Sequence, residues 1–89
     1  MIIRVATFEK RPAVHTDEKL MKDFRAWMKS QPGFHAAYHA HDSKTGRATS
    51  ISVWDDMASA LAMKDRVFPG GPIGVKPDKV EIFDWAEEF

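Results

Sequence analysis

Eighty-nine residues, 44% of them hydrophobic, carry thirteen Lys or Arg against thirteen Asp or Glu and no cysteine. The balanced charge leaves little counterion release to drive phosphate binding, which argues against a nucleic-acid partner. Without cysteine there are no disulfides, no thiolate catalysis and no Cys-ligated zinc or iron–sulfur centre.

The length is that of one domain spanning 1–89, and three Trp with six Phe are generous for so small a core. The surplus apolar surface is expected to go to a partner, since a chain this short leaves much of itself wet. The N-terminal residues lack the basic-then-apolar layout of a signal peptide. No apolar run approaches the ~20 residues that cross a bilayer. The chain therefore reads as soluble and cytoplasmic, with no membrane partner.

Residues 1–8 are rich in β-branched and aromatic side chains and predict a first strand, which Pro12 prevents from continuing. Thr16 is a candidate N-cap, with Asp17 and Glu18 suited to the positive end of a helix. Leu20, Met21, Phe24, Trp27 and Met28 then mark one apolar stripe of an amphipathic helix that Pro32-Gly33 stops. Residues 34–42 predict a second strand. Simple alternation puts Phe34, Ala36, Tyr38 and Ala40 on one face and His35, Ala37, His39 and His41 on the other.

Asp42-Ser43-Lys44-Thr45-Gly46 reads as a hairpin turn, with Gly46 free to take a positive φ. Residues 47–54 predict the third strand. Asp55 or Asp56 can cap a second helix bearing Met57, Ala60, Leu61, Lys64 and Phe68 along one side. The Pro- and Gly-rich segment 69–77 predicts a long loop, and 79–85 a fourth strand.

The predicted order is β-α-β-β-α-β. Right-handed crossovers then give an α+β fold of ferredoxin-like type: one four-stranded antiparallel sheet with both helices on a single face. The other face has no helix to cover it and needs water or a second copy of the chain.

Pro32-Gly33-Phe34, the hairpin with Thr45-Gly46, and Ile51-Ser52-Val53-Trp54-Asp55 leading into a helix resemble the antibiotic biosynthesis monooxygenase type of domain, within the dimeric α+β barrel superfamily. The resemblance covers nearly the whole chain in element order, with its specific part in 32–60. It implies a homodimer whose two sheets close into a barrel, with a pocket between sheet and helices. It also implies kinship with cofactor-independent monooxygenases acting on phenol- or quinol-like aromatics. Haem-degrading oxygenases and proteins of unknown activity share that fold, so fold alone does not fix a reaction.

Carried over by position, the resemblance assigns the tryptophan that ends the third strand to Trp54. An asparagine used by the polyketide-type oxygenases, four residues earlier, is replaced by Ser50. A tyrosine six residues later is replaced by Ala60. The first-strand asparagine and second-helix histidine of the haem-degrading type have no counterpart, because no Asn stands in the first strand and no His follows His41.

Candidate substrate-binding residues are therefore Trp54, Tyr38 and Ser50. Trp54 is either an aromatic pocket wall or a core tryptophan sealing the sheet against the second helix. Tyr38, the one phenol, either donates to a bound carbonyl or packs. No catalytic base stands out.

His35, His39 and His41 form the one histidine cluster. His39 and His41, two apart on a strand, place their Cβ atoms about 6.6 Å apart on the same side. They could share a metal with a third ligand such as His35 or His15, but an unaccompanied His-x-His more often forms a polar stripe. Arg4 is either an anion-binding cation or an edge-strand residue reaching water. No metal and no cofactor is assigned. The rival to an enzyme is a non-catalytic dimeric binding or accessory protein.

Overall fold

The computed structural model describes residues 1–66, 68–69 and 76–89. Among these residues four strands, β1 (Ile2–Phe8), β2 (Phe34–His41), β3 (Ala48–Trp54) and β4 (Lys79–Phe83), form one sheet in the order β2-β3-β1-β4. All three pairings are antiparallel. Two helices, α1 (Glu18–Lys29) and α2 (Met57–Ala62), complete the expected βαββαβ arrangement. The predicted loop 69–77 falls, between 70 and 75, outside the described residues.

Register fixes the faces. Ile2 lies opposite Trp54, Ala6 opposite Ser50 and Phe8 opposite Ala48, so these side chains share one side of the sheet. That side carries the core: Ile2, Trp54 and Ala60 pack together with Met28, Phe34, Met57 and Met63 from the covering elements. Ala6, Phe8 and Ala48 form a second cluster farther along. Ile3, Val5 and Ile51 point the other way, where Tyr38 and Phe83 are exposed.

The strand alternation predicted for β2 fails at one place. The ladder shifts between Phe34, opposite Trp54, and Ala36, opposite Val53. This bulge takes up His35 as an extra residue, and a one-residue slip moves side chains to the opposite face. Phe34 therefore joins the helix-covered side, its ring edge-on to Trp54 at 5.7 Å, while Tyr38, opposite Ile51, stays on the helix-free side.

Local caps differ from expectation in one case. Thr16 closes a 3-10 turn, Ala13–Thr16, by donating its hydroxyl to the Ala13 carbonyl. The N-cap of α1 is Asp17, whose carboxylate accepts from the Leu20 amide at 3.0 Å. Asp56 caps α2 by accepting from the Ser59 amide at 2.7 Å. That hydrogen bonding holds the Asp56 carboxyl below its ordinary pKa.

The second helix is shorter than its apolar stripe predicted. It gives way to a 3-10 turn, Met63–Asp65, and leaves Leu61 exposed. Phe68 is still buried, against Phe24 and Trp27 of α1.

The hairpin forms as read from sequence. Asp42 accepts from the Lys44 amide through its side chain and from the Gly46 amide through its carbonyl, and Gly46 has φ 77°. No helix among the described residues is long and apolar enough to cross a membrane.

Candidate functional site

The three candidate residues do not converge. Trp54 is fully buried, and its indole N–H donates to the Ser52 hydroxyl at 2.9 Å, so its one polar group is satisfied inside the core. Of the two roles weighed for it, the packed one describes the chain as it stands. Ser50 shares the helix-covered face but lies four residues along β3, about 13 Å away at strand spacing. Tyr38 is 62% exposed on the opposite face.

What the fold does bring together lies at the α1–β2 side. His39 pairs with Ser50 across the ladder and points under α1. Its ring stacks on His15 from the 3-10 turn, with centroids 5.7 Å apart and planes 4° from parallel. Phe24 of α1 lies over His39 at 6.2 Å, and Phe8 meets His15 edge-on at 5.4 Å. Thus β1, the 3-10 turn, α1 and β2 each supply one ring to a single aromatic layer.

Both imidazoles titrate below the ordinary histidine value. Burial is the main cause for His15, with His39 and then Arg11 adding repulsion. Burial also leads for His39, followed by the nearby Arg25 charge. A neutral imidazole keeps one nitrogen free to accept a proton.

An open groove of about 490 Å³ runs between α1 and β2. Phe24, Met28 and Phe34 give it an apolar floor, His39 stands at one end, and Arg25 and Lys29 supply cations. Tyr38 also borders it, although its register assigns its side chain to the other face. The groove lies along the outer strand β2, while α1 packs into the core at both ends, through buried Met21 and through Met28 against the Trp54 cluster.

Of the other candidates, His35 and Arg4 lie apart, while His41 borders a small cavity with His15 and His39. His35, at the bulge, lies 3.6 Å from the Glu88 carboxylate. His41 lies on the helix-covered face at the far end of β2, opposite Ala48. Among the described residues no group of three or more His, Asp or Glu is arranged to hold a metal ion. Arg4 is not on an edge strand. It lies on β1 between Ser52 and Ile82 inside the sheet, where burial lowers its pKa while leaving it charged at neutral pH.

The His15–His39 stack was missed as a unit in sequence. His15 could be considered only as one of several partners for the β2 histidines, because no spacing signals contact between a 3-10 turn and a strand so far along the chain.

Solved structures with this architecture cover nearly the whole chain. A protein described as an antibiotic biosynthesis monooxygenase from Chloroflexus aurantiacus J-10-fl superposes with a TM-score of 0.64 at 18% identity, covering 99% of this chain and 95% of that one. The chain shares the fold of the antibiotic biosynthesis monooxygenases.

The protein Rv0793 of Mycobacterium tuberculosis gives a TM-score of 0.67 at 11% identity, over 98% of this chain and 96% of the other. The monooxygenase from ActVA-Orf6 of Streptomyces coelicolor, in complex with nanaomycin D, gives 0.59 at 17% identity, over 99% and 89%. Neither a protein-family model nor a curated protein matches the sequence.

Proposed function

We propose that the chain is a small-molecule-binding protein of monooxygenase type, taking a phenol- or quinol-like aromatic in the groove between α1 and β2. The carrying observation is the groove itself: an apolar floor of Phe24, Met28 and Phe34, a neutral histidine at one end and two cations beside it. Its volume falls within the range typical of small-molecule sites, about 300–1,000 Å³.

In this reading an aromatic ring lies on Phe24 and Phe34, and the free nitrogen of His39 accepts the phenolic proton. Arg25 and Lys29 stabilise the phenolate that results. The electron-rich ring gives an electron pair to O₂, forming a carbon–oxygen bond and, after protonation, a ring hydroperoxide. Cleavage of the O–O bond, with loss of the ring C–H proton, leaves one oxygen in the quinone and releases the other as water. The substrate supplies all the electrons, so the reading invokes no metal or flavin. Ser50 pairs with His39 across the ladder, which supports a proposed role in orienting that imidazole.

The likeness in fold to monooxygenases, one of them solved with nanaomycin D, supports this class of ligand. The chain 1–89 is proposed to act as one domain and to pair with a second copy through its helix-free face, where Ile3, Val5, Ile51 and the exposed Tyr38 and Phe83 gather.

Oxygen-electrode assays on a panel of hydroquinones test the enzymatic reading. Oxygen uptake above background is expected, with a loss of about 10²-fold or more in His39→Ala. Binding without uptake would favour the second reading, a non-catalytic dimeric binding protein. That reading draws on Ser50 and Ala60 standing where the resembling oxygenases use Asn and Tyr.

A further inference from the structure

Beside the groove, and sharing Arg25 and His39 with it, is a smaller cavity of about 130 Å³ whose wall also includes Arg11, His15, His41 and Glu18. We propose that this cavity is a carboxylate subsite, and that the preferred ligand of the groove is accordingly an aromatic acid. The inference rests on the groove binding an aromatic ring, as proposed above.

The lining is unusual in charge. Two guanidiniums and three imidazoles face one carboxylate. That carboxylate does little to neutralise the site: Glu18 lies 3.9 Å from Arg25 with 88% of its side chain exposed, a weak and solvent-screened pair. The backbone of Arg11 is anchored to the hairpin turn, its amide donating to the Gly46 carbonyl at 2.7 Å, which sets where its side chain starts. Guanidinium forks and imidazole N–H groups are the donors that suit a carboxylate.

Size selects the same group. The cavity has room for about four waters at roughly 30 Å³ each. It suits a carboxylate with its hydration, while the adjoining groove is the part large and apolar enough for the ring.

The stacked pair adds a signature. His15 and His39 are kept neutral by burial and by the positive charges around them. An anion bound beside His15 and Arg11 favours the protonated form of the His15 ring, whose charge in turn opposes protonation of His39, so binding is expected to take up protons near neutral pH while His39 keeps its free nitrogen.

Titration calorimetry with three probes tests the inference: gentisate, its methyl ester and hydroquinone. Gentisate is expected to bind about tenfold or more tighter than the ester. Its proton uptake is read by repeating the titration in buffers of different ionisation heat. Arg11→Gln should bring the acid-to-ester ratio toward one, whereas Arg11→Lys should retain part of it.

Equal affinity for acid and ester in the native chain would overturn the carboxylate subsite and leave the aromatic groove standing. A ratio untouched by Arg11→Gln in folded protein would overturn its assignment to this cavity. No binding of any of the three would remove the groove as well. The native acid-to-ester ratio decides the matter even if a variant fails to fold.

Discussion

The two ends of the helix-covered face are built from the same sheet yet serve different ends. Around Trp54 the space is filled: α2 and the close approach of Met28 and Phe34 leave the largest core side chain with no exposed surface. Around His39 the same face is lined by imidazoles and aromatic rings, and a groove opens between α1 and the outer strand β2. The core continues along β1 and β3 through Ala6, Phe8 and Ala48, and the ligand-sized space lies beside it at the outer strand β2. Stability and binding are therefore expected to be separable by substitution.

The largest effect is expected at the filled end. Trp54→Ala removes a fully buried aromatic and orphans the partner of its indole N–H, and should lower unfolding stability by about 3–5 kcal/mol in urea titrations. His39→Ala, at the open end, should shift the urea midpoint far less while abolishing ligand binding or oxygen uptake. If the two variants destabilise equally, the division of the face into a structural end and a binding end is wrong.

A smaller effect is expected at Gly33, which supports the filled end from behind. Its φ is 77°, and its carbonyl accepts from the Asp55 amide at 2.9 Å where β3 turns into α2. A Cβ there would come within 2.6 Å of the Ser59 Cβ, whereas at Gly46, with the same φ, it would meet nothing within 4 Å. Gly33→Ala should cost about 1–3 kcal/mol and Gly46→Ala about 1 kcal/mol, as backbone strain alone dictates for the latter. Paired thermal melts decide; an equal cost would mean that Ser59 yields freely.

How much of this was legible in sequence follows from the range of each signal. The strand and helix order was readable because the alternation in β3 and the Leu20–Met28 stripe are local periodicities, and the Asp42–Gly46 turn is local chemistry. The bulge at His35 was not. It depends on how Gly33 sets the chain into the ladder, and no alternation of residue types announces it. That one slip moved Phe34 onto the Trp54 side and left Tyr38 on the other, which separates two of the three candidate site residues. Thr16 lost the cap to Asp17 because a 3-10 turn occupies the preceding residues. The His15–His39 stack and the groove beside it are tertiary facts, set by how far α1 stands from β2.

A further, smaller effect is expected at the cap of α2. The hydrogen bonds from Ser59 depress the folded pKa of Asp56. Its contribution to stability is therefore present above the ordinary carboxylate value and is lost as the pH falls through the lower, folded one. Asp56→Asn should lower the melting temperature slightly at neutral pH, and the difference from the native chain should shrink in acid. A difference that persists unchanged at low pH would show that packing, not the charged cap, is responsible.

The open end titrates with the same sign in a higher pH window, and that sign tests the site directly. His15 and His39 have folded values below the ordinary 6.5. In the window beneath 6.5 the unfolded chain therefore binds more protons than the folded one. Stability is full above the window, falls as the pH drops through it, and levels off below the folded values.

Denaturation midpoints should accordingly be lower at pH 5 than at pH 7.5, with the slope reduced in His15→Ala, and NMR titration of both rings should give midpoints under 6.5. Burial leads and the facing charges add to it: Arg11 and Arg25 repel a proton, while Glu18, exposed at the rim, attracts one only weakly. Midpoints above 6.5 would mean that Glu18 governs the pair. His39 would then be charged at neutral pH, without the free nitrogen that proton abstraction from a phenol requires.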